Sequence, residues 1–133
     1  MKLKHLLIFA VVFALVALGT SCSKPSEKKI VGKWQLVSEQ YRDNEDPEWE
    51  FDYPDPDEIV IYEFVKGGNC NVYYNGTLVD GGTWIYDKST EKIIVDGEAA
   101  DIIKCTANEM VWCYKETWGD EWYEEQMNFK RVK

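Results

Sequence analysis

Most side chains that carry out catalysis or bind transition metals are missing from this sequence or lie far apart in it. The single histidine is His5, and the four cysteines form no Cys-x-x-Cys pair. The sequence therefore offers neither a zinc site nor a cysteine nucleophile with a histidine base. It has no Gly-x-Ser-x-Gly motif, and its 24 acidic residues are too many to single out an acid–base pair. We expect no catalysis and no cofactor.

Aromatic side chains are the stronger candidates for a functional site, because tryptophan, tyrosine and phenylalanine make up 14% of the chain. Each ring buries about 150–250 Å² when packed, so these residues dominate either the core or a ligand pocket. Rings with a few polar groups are typical of small-molecule sites and predict a small, largely apolar or aromatic ligand. Seven rings and one carboxylate are predicted to bind it: Tyr62, Tyr74, Trp84, Tyr86, Trp112, Tyr114, Tyr123 and Glu125.

Three polar residues are predicted to meet the polar end of such a ligand. Glu125 shares its strand face with Phe129, which makes it the one carboxylate that the alternation places inside. Ser38 and Gln40 lie on the same face of the first strand as Trp34, so we predict that they also reach the interior. The alternative is that the rings only fill the interior, with Glu125 reaching solvent at the rim.

Charge decides which face of the middle strands points inward. One set of alternating residues, which includes Tyr62, Phe64 and Trp112, carries no charge until the strands end. The other set includes Glu63 and Lys115. An unpaired buried charge costs several kcal/mol, whereas an exposed isoleucine or valine costs little. We therefore predict that the aromatic set faces inward.

The alternation of apolar and polar residues divides the chain into eight short antiparallel strands, with no segment long enough for an amphipathic helix. Asn75-Gly76 is the strongest hairpin signal, because both residues accept the positive φ of a type I′ turn. Gly81-Gly82 predicts a β-bulge within its strand. The predicted strands are residues 30–38, 59–65, 70–74, 77–87, 92–95, 99–105, 109–116 and 121–132.

Segment 42–57 interrupts this pattern with three prolines and eight acidic residues, and is predicted to be a long loop. Within it, residues 48–53 alternate acids with aromatic rings. Two interpretations remain open: an edge segment that packs its rings onto the domain, or a lid over the mouth of a cavity. A third interpretation is a calcium site, formed by the carboxylates of Asp52, Asp55, Asp57 and Glu58. The spacing of these residues matches no calcium loop.

The N-terminal residues are typical of an export signal. Lys2 and Lys4 precede residues 6–18, an apolar run of 13 residues, whereas a membrane span needs roughly 20. Residues 18–22 resemble a bacterial lipobox, in which the signal is cleaved before a cysteine that is then acylated, here Cys22. The alternative is ordinary secretory cleavage beside an incidental cysteine.

These boundaries predict a signal peptide at 1–21, a lipidated flexible tether at 22–29 and one folded domain at 30–133. A lipid on Cys22 would anchor the domain to a membrane of the cell envelope. Some surface-export signals have acidic residues directly after the lipidated cysteine, but no acidic residue directly follows Cys22. We therefore expect an outer-membrane lipoprotein on the periplasmic face.

The charge of the mature chain limits its partners. Removal of Lys2 and Lys4 changes the net charge from −9 to −11. Such acidity disfavours nucleic acids and anionic lipid surfaces, and leaves a small molecule or another protein as the expected partner. The cysteines of the domain allow either one disulfide bond or buried free thiols: Cys70, Cys105 and Cys113.

Gly32-Lys33-Trp34 opens the first predicted strand, and Phe129-Lys130-Arg131 closes the last. These two short motifs resemble those of the lipocalins, in particular the small lipocalin-like lipoproteins of Gram-negative bacteria. In lipocalins a basic side chain of the last strand lies across that indole, a cation–π contact that falls here to Arg131 or Lys130. The resemblance implies an all-β fold, an eight-stranded antiparallel up-and-down barrel, with a two-sheet β-sandwich as the alternative.

The resemblance also implies a non-catalytic function. We expect an envelope-anchored lipoprotein that binds its ligand inside the barrel. The alternative is a packed barrel that acts as an interaction module of an envelope complex or as a glycan-binding accessory protein. A hollow interior favours ligand binding, and a filled interior favours the interaction module.

Overall fold

The computed structural model describes residues 25–133, which form one short helix and nine strands. The predicted signal peptide, Cys22 and the beginning of the tether lie outside these residues. Among the described residues, no helix is long and apolar enough to cross a membrane. The elements are helix α1 (Glu27–Ile30) and strands β1 (Gly32–Asp43), β2 (Glu50–Asp52), β3 (Val60–Val65), β4 (Asn69–Tyr74), β5 (Thr77–Asp87), β6 (Lys92–Val95), β7 (Glu98–Cys105), β8 (Glu109–Trp118) and β9 (Glu121–Arg131).

Eight of the strands form a closed antiparallel barrel. Each strand from β3 onward pairs with the next, and β9 returns to pair with β1. The predicted barrel is therefore confirmed, and the two-sheet sandwich is wrong. Strand β2 is additional: it pairs with residues 39–41 of β1, beyond the point at which β3 leaves that edge. The predicted long loop thus contains one edge strand, which is only three residues long.

The turns define an open and a closed end. Turns at residues 75–76, 96–97 and 119–120 lie at the open end. Turns at residues 66–68, 88–91 and 106–108 lie at the closed end, together with α1. Asn75 and Gly76 have φ angles of 47° and 81°, as a type I′ hairpin turn requires.

Aromatic rings fill the closed half of the barrel. Phe64 packs edge-to-face against Trp84 and Trp112, with ring centroids 5.3 and 5.5 Å apart. The ring of Trp112 lies 4.7 Å from that of Phe129. All four rings are buried, whereas the side chain of Lys115, on the opposite face, is 61% exposed. The prediction that the aromatic set faces inward is confirmed.

A cation–π contact seals the closed end. The Arg131 guanidinium lies 4.2 Å from the centre of the fully buried Trp34 ring. Arg131 Nε donates to the Ala107 carbonyl at 2.7 Å, and Trp34 Nε1 donates to the carbonyl of Ile30 in α1 at 2.8 Å. Lys130 is exposed. Arg131, rather than Lys130, is therefore the basic residue of this contact.

Gly32 makes this contact sterically possible. Its φ of +135° is one that residues with a Cβ rarely adopt, and an added Cβ would lie 2.5 Å from Arg131 Nη1. The glycine is thus required both by its backbone conformation and by the approach of the guanidinium.

A β-bulge at Val37 changes which residues of β1 face inward. Leu36 pairs with Phe129, but Ser38 pairs with Asn128, so one extra residue separates the two pairs. Beyond it the alternation is inverted, because a one-residue shift moves every side chain to the other face. Ser38 is buried, but the register places it on the outer face together with Gln40, so the prediction that the two reach the interior is wrong.

The outward-facing residues beyond the bulge form hydrogen bonds along the outer wall of the barrel. Asn128 Nδ2 donates to Ser38 Oγ at 3.1 Å, and Gln40 Nε2 donates to Gln126 Oε1 at 2.9 Å. These bonds satisfy the polar atoms that were predicted to meet a ligand. The residues inside at this level are instead Glu39 and Tyr41, as their pairing with Met127 and Glu125 shows.

The cysteines in the described part of the chain are free and buried: Cys70, Cys105 and Cys113. Burial raises the pKa of the Cys70 thiol to about 11. Burial, followed by a hydrogen bond to Glu124, raises that of Cys113 to about 11 as well. Of the two alternatives for these residues, the structure has the buried thiols.

Candidate functional site

The open half of the barrel contains a cavity of about 450 Å³, which we call the barrel cavity. Its floor consists of side chains that are themselves buried, among them Ile93, Ala100 and Trp112. Tyr62 and Tyr114 contribute phenol rings to its walls. A volume of this size lies within the range of small-molecule sites, about 300–1,000 Å³. The barrel is therefore filled in its closed half and hollow in its open half.

Four carboxylates line the barrel cavity: Asp80, Asp96, Glu98 and Glu125. Glu125 is there as predicted, but it is not the one carboxylate inside. Asp96 is held by a hydrogen bond from the backbone N–H of Thr83 to its Oδ1, 2.9 Å long. Strand alternation within β9 could reveal Glu125, whereas Asp96 lies in a turn, where alternation does not apply.

Gly82 allows Asp96 to take this position. A Cβ at Gly82 would lie 2.0 Å from Asp96 Oδ1, so any larger residue would displace the carboxylate. The bulge predicted at Gly81-Gly82 lies elsewhere, because the β4–β5 register changes at Val79. A glycine is needed at position 82 because the Asp96 carboxylate approaches it closely, and not because of an unusual backbone conformation.

A second cavity of about 390 Å³ lies beside the first, between β1, β3 and residues 52–58; we call it the side cavity. Tyr62 lines both cavities. Four carboxylates line the side cavity as well: Glu39, Asp52, Asp55 and Glu58. Glu39 was missed because its inward orientation depends on the bulge at Val37.

The aromatic residues of segment 48–53 do not pack onto the barrel wall as a group. Phe51 and Tyr53 are 57% and 65% exposed and stack on one another, with ring centroids 6.4 Å apart. Trp49 packs instead over the guanidinium of Arg42, 4.2 Å away. The segment contains an edge strand, as one interpretation held, but the rings of Phe51 and Tyr53 are mostly exposed, and Tyr53 also lines the side cavity.

The electrostatics of the open end reflect this concentration of acids. Burial, then the charges of Glu125 and Asp52, raise the pKa of Glu39. Burial, then the charge of Glu39, raise the pKa of the Tyr62 phenol to about 12. Burial and the nearby Glu125, which accepts a 3.3 Å hydrogen bond from the Tyr123 hydroxyl, raise the pKa of Tyr123 to about 12. The phenols therefore remain neutral donors at neutral pH.

The structure brings five of the eight predicted ligand-binding residues to the barrel cavity or its edge. Tyr62, Trp112, Tyr114 and Glu125 line it, and Tyr123 contacts Glu125. Alternation assigns residues to a face but not to a height along the barrel, and the other three differ in height.

Three predicted residues lie away from the barrel cavity. Tyr74 is exposed at the rim, where its hydroxyl donates to Glu58 Oε1 at 2.9 Å. Trp84 is part of the packed core and donates to the Val65 carbonyl at 2.9 Å. Tyr86 lies at the closed end and donates to the Pro25 carbonyl at 3.2 Å. None of them lines the barrel cavity, so the structure does not bring these three residues to the candidate site.

A third group of residues buries a carboxylate on the outer face of the barrel. Glu124 accepts hydrogen bonds from Arg42 Nη2 at 2.8 Å and from the Cys113 thiol at 3.2 Å, and Lys115 Nζ lies 3.7 Å away. Burial raises the pKa of Glu124, but these partners outweigh it, so the net shift is downward. Every donor of this cluster is already paired, which is typical of a structural contact.

A groove of about 670 Å³ lies at the closed end, beside α1 and Tyr86. Pro25, the first described residue, is among the residues that line it. The groove lies outside the barrel interior, so the candidate site is the barrel cavity. In residues 25–133 no group of three or more acidic, cysteine or histidine side chains is arranged to hold a metal ion.

The comparisons with known proteins agree with the fold. The family model of the lipocalin-like domain matches residues 30–112, more than half of the chain. The matched region begins just before Gly32 and includes Trp112. No curated protein has a significant match to this chain.

Proposed function

Because the chain belongs to the lipocalin-like family, we propose that it binds a small, largely apolar or aromatic molecule inside its barrel, without catalysing a reaction. The observation that carries the proposal is the barrel cavity, about 450 Å³ in volume, with a buried apolar floor and phenols in its walls. A fold alone does not define a function, but a cavity of this composition is what small-molecule sites have in common.

The neutral phenols give this cavity both stacking surfaces and hydrogen-bond donors. Tyr62 packs edge-to-face against Trp112 and Phe129, with centroids 5.9 and 5.3 Å away, so its ring is held at the cavity wall. Because these contacts fix the Tyr62 ring before a ligand arrives, binding would cost less side-chain entropy. A flat ligand would contact Tyr62 and Trp112 from above.

We further propose that the domain is anchored to the outer membrane through a lipid on Cys22. The signal-like residues 1–21 support this proposal. The carbonyl of Pro25 contacts Tyr86 at the closed end, so a tether that precedes Pro25 would leave the barrel from that end. The open end would then face away from the membrane, accessible to a ligand in the periplasm.

A second candidate function, that of an interaction module or glycan-binding accessory protein, is favoured by two exposed rings, Phe51 in β2 and Tyr53 directly after it. Phe51 and Tyr53 form a stacked pair at an edge strand, and stacked exposed rings are suited to a sugar face or a partner protein. The two functions use different surfaces, so substitutions can separate them.

The experiment is a titration of the protein's tryptophan fluorescence with four ligand classes: apolar dyes, aromatic metabolites, steroids and short glycans. Saturable binding that weakens about tenfold in Tyr114→Ala is expected, as loss of one ring contact implies. Tyr73→Ala is the matched control, because Tyr73 lies on the outer face, where its hydroxyl donates to Glu63. No saturable binding by any class would contradict the proposal; binding lost in Phe51→Ala but kept in Tyr114→Ala would favour the second function.

A further inference from the structure

The distribution of charge around the two cavities is uneven. Eight carboxylates line them, four in each, whereas no lysine or arginine lines either one among the residues that the structure describes. The basic side chains are used elsewhere: in the described ion pairs, Lys33, Arg42, Lys92, Lys104 and Lys115 all meet carboxylates outside the cavities. Among the described residues, the acids that line the two cavities thus form no ion pair with a lysine or arginine.

A second observation at the barrel cavity comes from Trp112. Its Nε1 is the one buried side-chain nitrogen or oxygen of the described residues without a hydrogen-bond partner. The residue is 6% exposed and lines the cavity. Because this nitrogen is itself buried, a ligand in the cavity would contact the Trp112 ring rather than its N–H. The ring thus gives the cavity an aromatic surface on which an aromatic or apolar body can pack.

We propose that the ligand of the barrel cavity is an organic cation: an aromatic or apolar body with an ammonium group that lies among Glu125, Glu39 and the other acids of the open end. This inference rests on the proposed function and adds the charge of the ligand to it. The apolar floor of the cavity would contact the apolar part of the ligand, and the acids at the cavity mouth would pair with its ammonium group. Tyr62 and Tyr114 offer faces to a cation as well.

The alternatives with other charges fit the open end less well. A carboxylate or phosphate ligand would lie among acids with no basic side chain to meet it, and like charges at close range cost affinity. A neutral ligand would leave the repulsion among the acids unchanged. Burial is the main cause of the raised pKa of Glu39, and the charges of Glu125 and Asp52 add to it, in line with this repulsion. A cation would relieve it.

The test compares three probes that share one ring body and differ in charge: 2-(1-naphthyl)ethylamine, 2-(1-naphthyl)ethanol and 1-naphthylacetate. Each is titrated into the purified protein at neutral pH, with tryptophan fluorescence and calorimetry as readouts. The ammonium probe is expected to bind at least tenfold more tightly than the alcohol, as hydrogen bonds to charged groups imply, and the acetate least tightly. Its affinity should fall as sodium chloride is raised.

Substitutions that remove charge but keep shape locate the effect. Glu125→Gln and Glu39→Gln are each expected to weaken the ammonium probe about tenfold and to leave the alcohol unchanged. Glu63→Gln is the matched control: Glu63 lies on the outer face of β3 beside Lys33 and should change neither affinity. Circular dichroism checks that each variant is folded, and the salt dependence of the unsubstituted protein remains decisive if one is not.

The outcomes separate this inference from the function on which it rests. Equal binding of the three probes, or tighter binding of the acetate, would overturn the cationic ligand and leave ligand binding intact. Saturable binding of other ligand classes without any preference for cations would do the same. Absence of binding by all probes and all four ligand classes would overturn both.

Discussion

Glu39 and Glu125 lie as diagonal neighbours on the inner face of the barrel, because Glu39 pairs with Met127 and the adjacent inward residue, Tyr41, pairs with Glu125. Burial raises the pKa of Glu39, and the charge of Glu125 adds to the effect. Two acids thus share one part of the cavity mouth at a cost to the folded state. Such a cost is typical of functional sites.

This cost makes stability depend on pH. Since the pKa of Glu39 is raised in the folded state, the folded protein holds this proton more tightly than the unfolded chain. Stability therefore decreases as pH rises through the interval between the ordinary glutamate pKa and the folded-state value. Glu39→Gln should be more stable than the unsubstituted protein at pH 7 and equally stable below pH ~4. Urea denaturation at both values measures this, and Glu45→Gln in the exposed loop should show no such difference.

The packed half of the barrel predicts a large contrast between neighbouring faces. Phe64 is fully buried between Trp84 and Trp112, so Phe64→Ala should reduce the free energy of unfolding by about 3–5 kcal/mol. Ile85 is 58% exposed on the opposite face, and Ile85→Ala should cost less than about 1 kcal/mol. Chemical denaturation compares the two. A larger loss for Ile85→Ala would contradict the assignment of faces.

The sequence predicts well which face of each strand points inward, because usually only one of the two faces lacks charged residues. Strand β8 is one example: Trp112 alternates with residues that include Lys115, and only one of the two faces tolerates burial. The closed-end contact was also predictable, since it depends on residue types at the ends of two strands. What remained open there was the choice between Arg131 and its neighbour.

The cavity itself was harder to predict, for two physical reasons. The bulge at Val37 is a mismatch between β1 and β9, and it follows from how the two strands pair rather than from either strand alone. It exchanged Ser38 and Gln40 for Glu39 in the interior. Alternation also contains no information on height, so the buried Trp84 and the closed-end Tyr86 could not be distinguished from cavity residues.

The contact between Gly32 and Arg131 predicts an unusually costly glycine substitution. Gly32→Ala introduces both an unfavourable φ and a close approach to Arg131 Nη1, and should lose at least about 2 kcal/mol of stability, given that backbone strain alone costs about 1–3. Gly67→Ala is the control for strain alone, because Gly67 also has a positive φ but open space around its Cα. It should cost less.

The double variant Gly32→Ala/Arg131→Ala distinguishes the two contributions. Removal of the guanidinium relieves the clash with the new Cβ. The double variant should therefore lose less stability than the sum of the losses in Gly32→Ala and Arg131→Ala. Strict additivity, measured by denaturant midpoints, would show that the guanidinium does not limit the space at Gly32.

The proposed anchor at Cys22 predicts where the protein is found in a Gram-negative host. The unsubstituted protein should partition into detergent, with a mature N-terminus at Cys22 that carries acyl chains by mass spectrometry. Cys22→Ala should accumulate as a precursor or be released. Cys113→Ala is the control, because Cys113 is a buried thiol of the barrel and its loss leaves the N-terminus unchanged. An unacylated mature N-terminus elsewhere would contradict the proposal.

The buried carboxylate of Glu124 predicts a loss of stability in acid. Burial alone would raise its pKa, but hydrogen bonds from Arg42 and Cys113 and the charge of Lys115 bring it below the ordinary value. A lowered folded-state pKa contributes stability at pH values above the ordinary glutamate pKa, and this contribution disappears as pH falls through the folded-state value. Arg42→Ala removes the main partner and should cost about 3 kcal/mol at pH 7, as broken buried ion pairs do. The double variant Arg42→Ala/Glu124→Gln should recover part of this loss, since no uncompensated charge remains buried. Denaturation at pH 7 and pH 3 measures both effects; an equal loss in the single and double variants would show that the charge of Glu124 does not contribute.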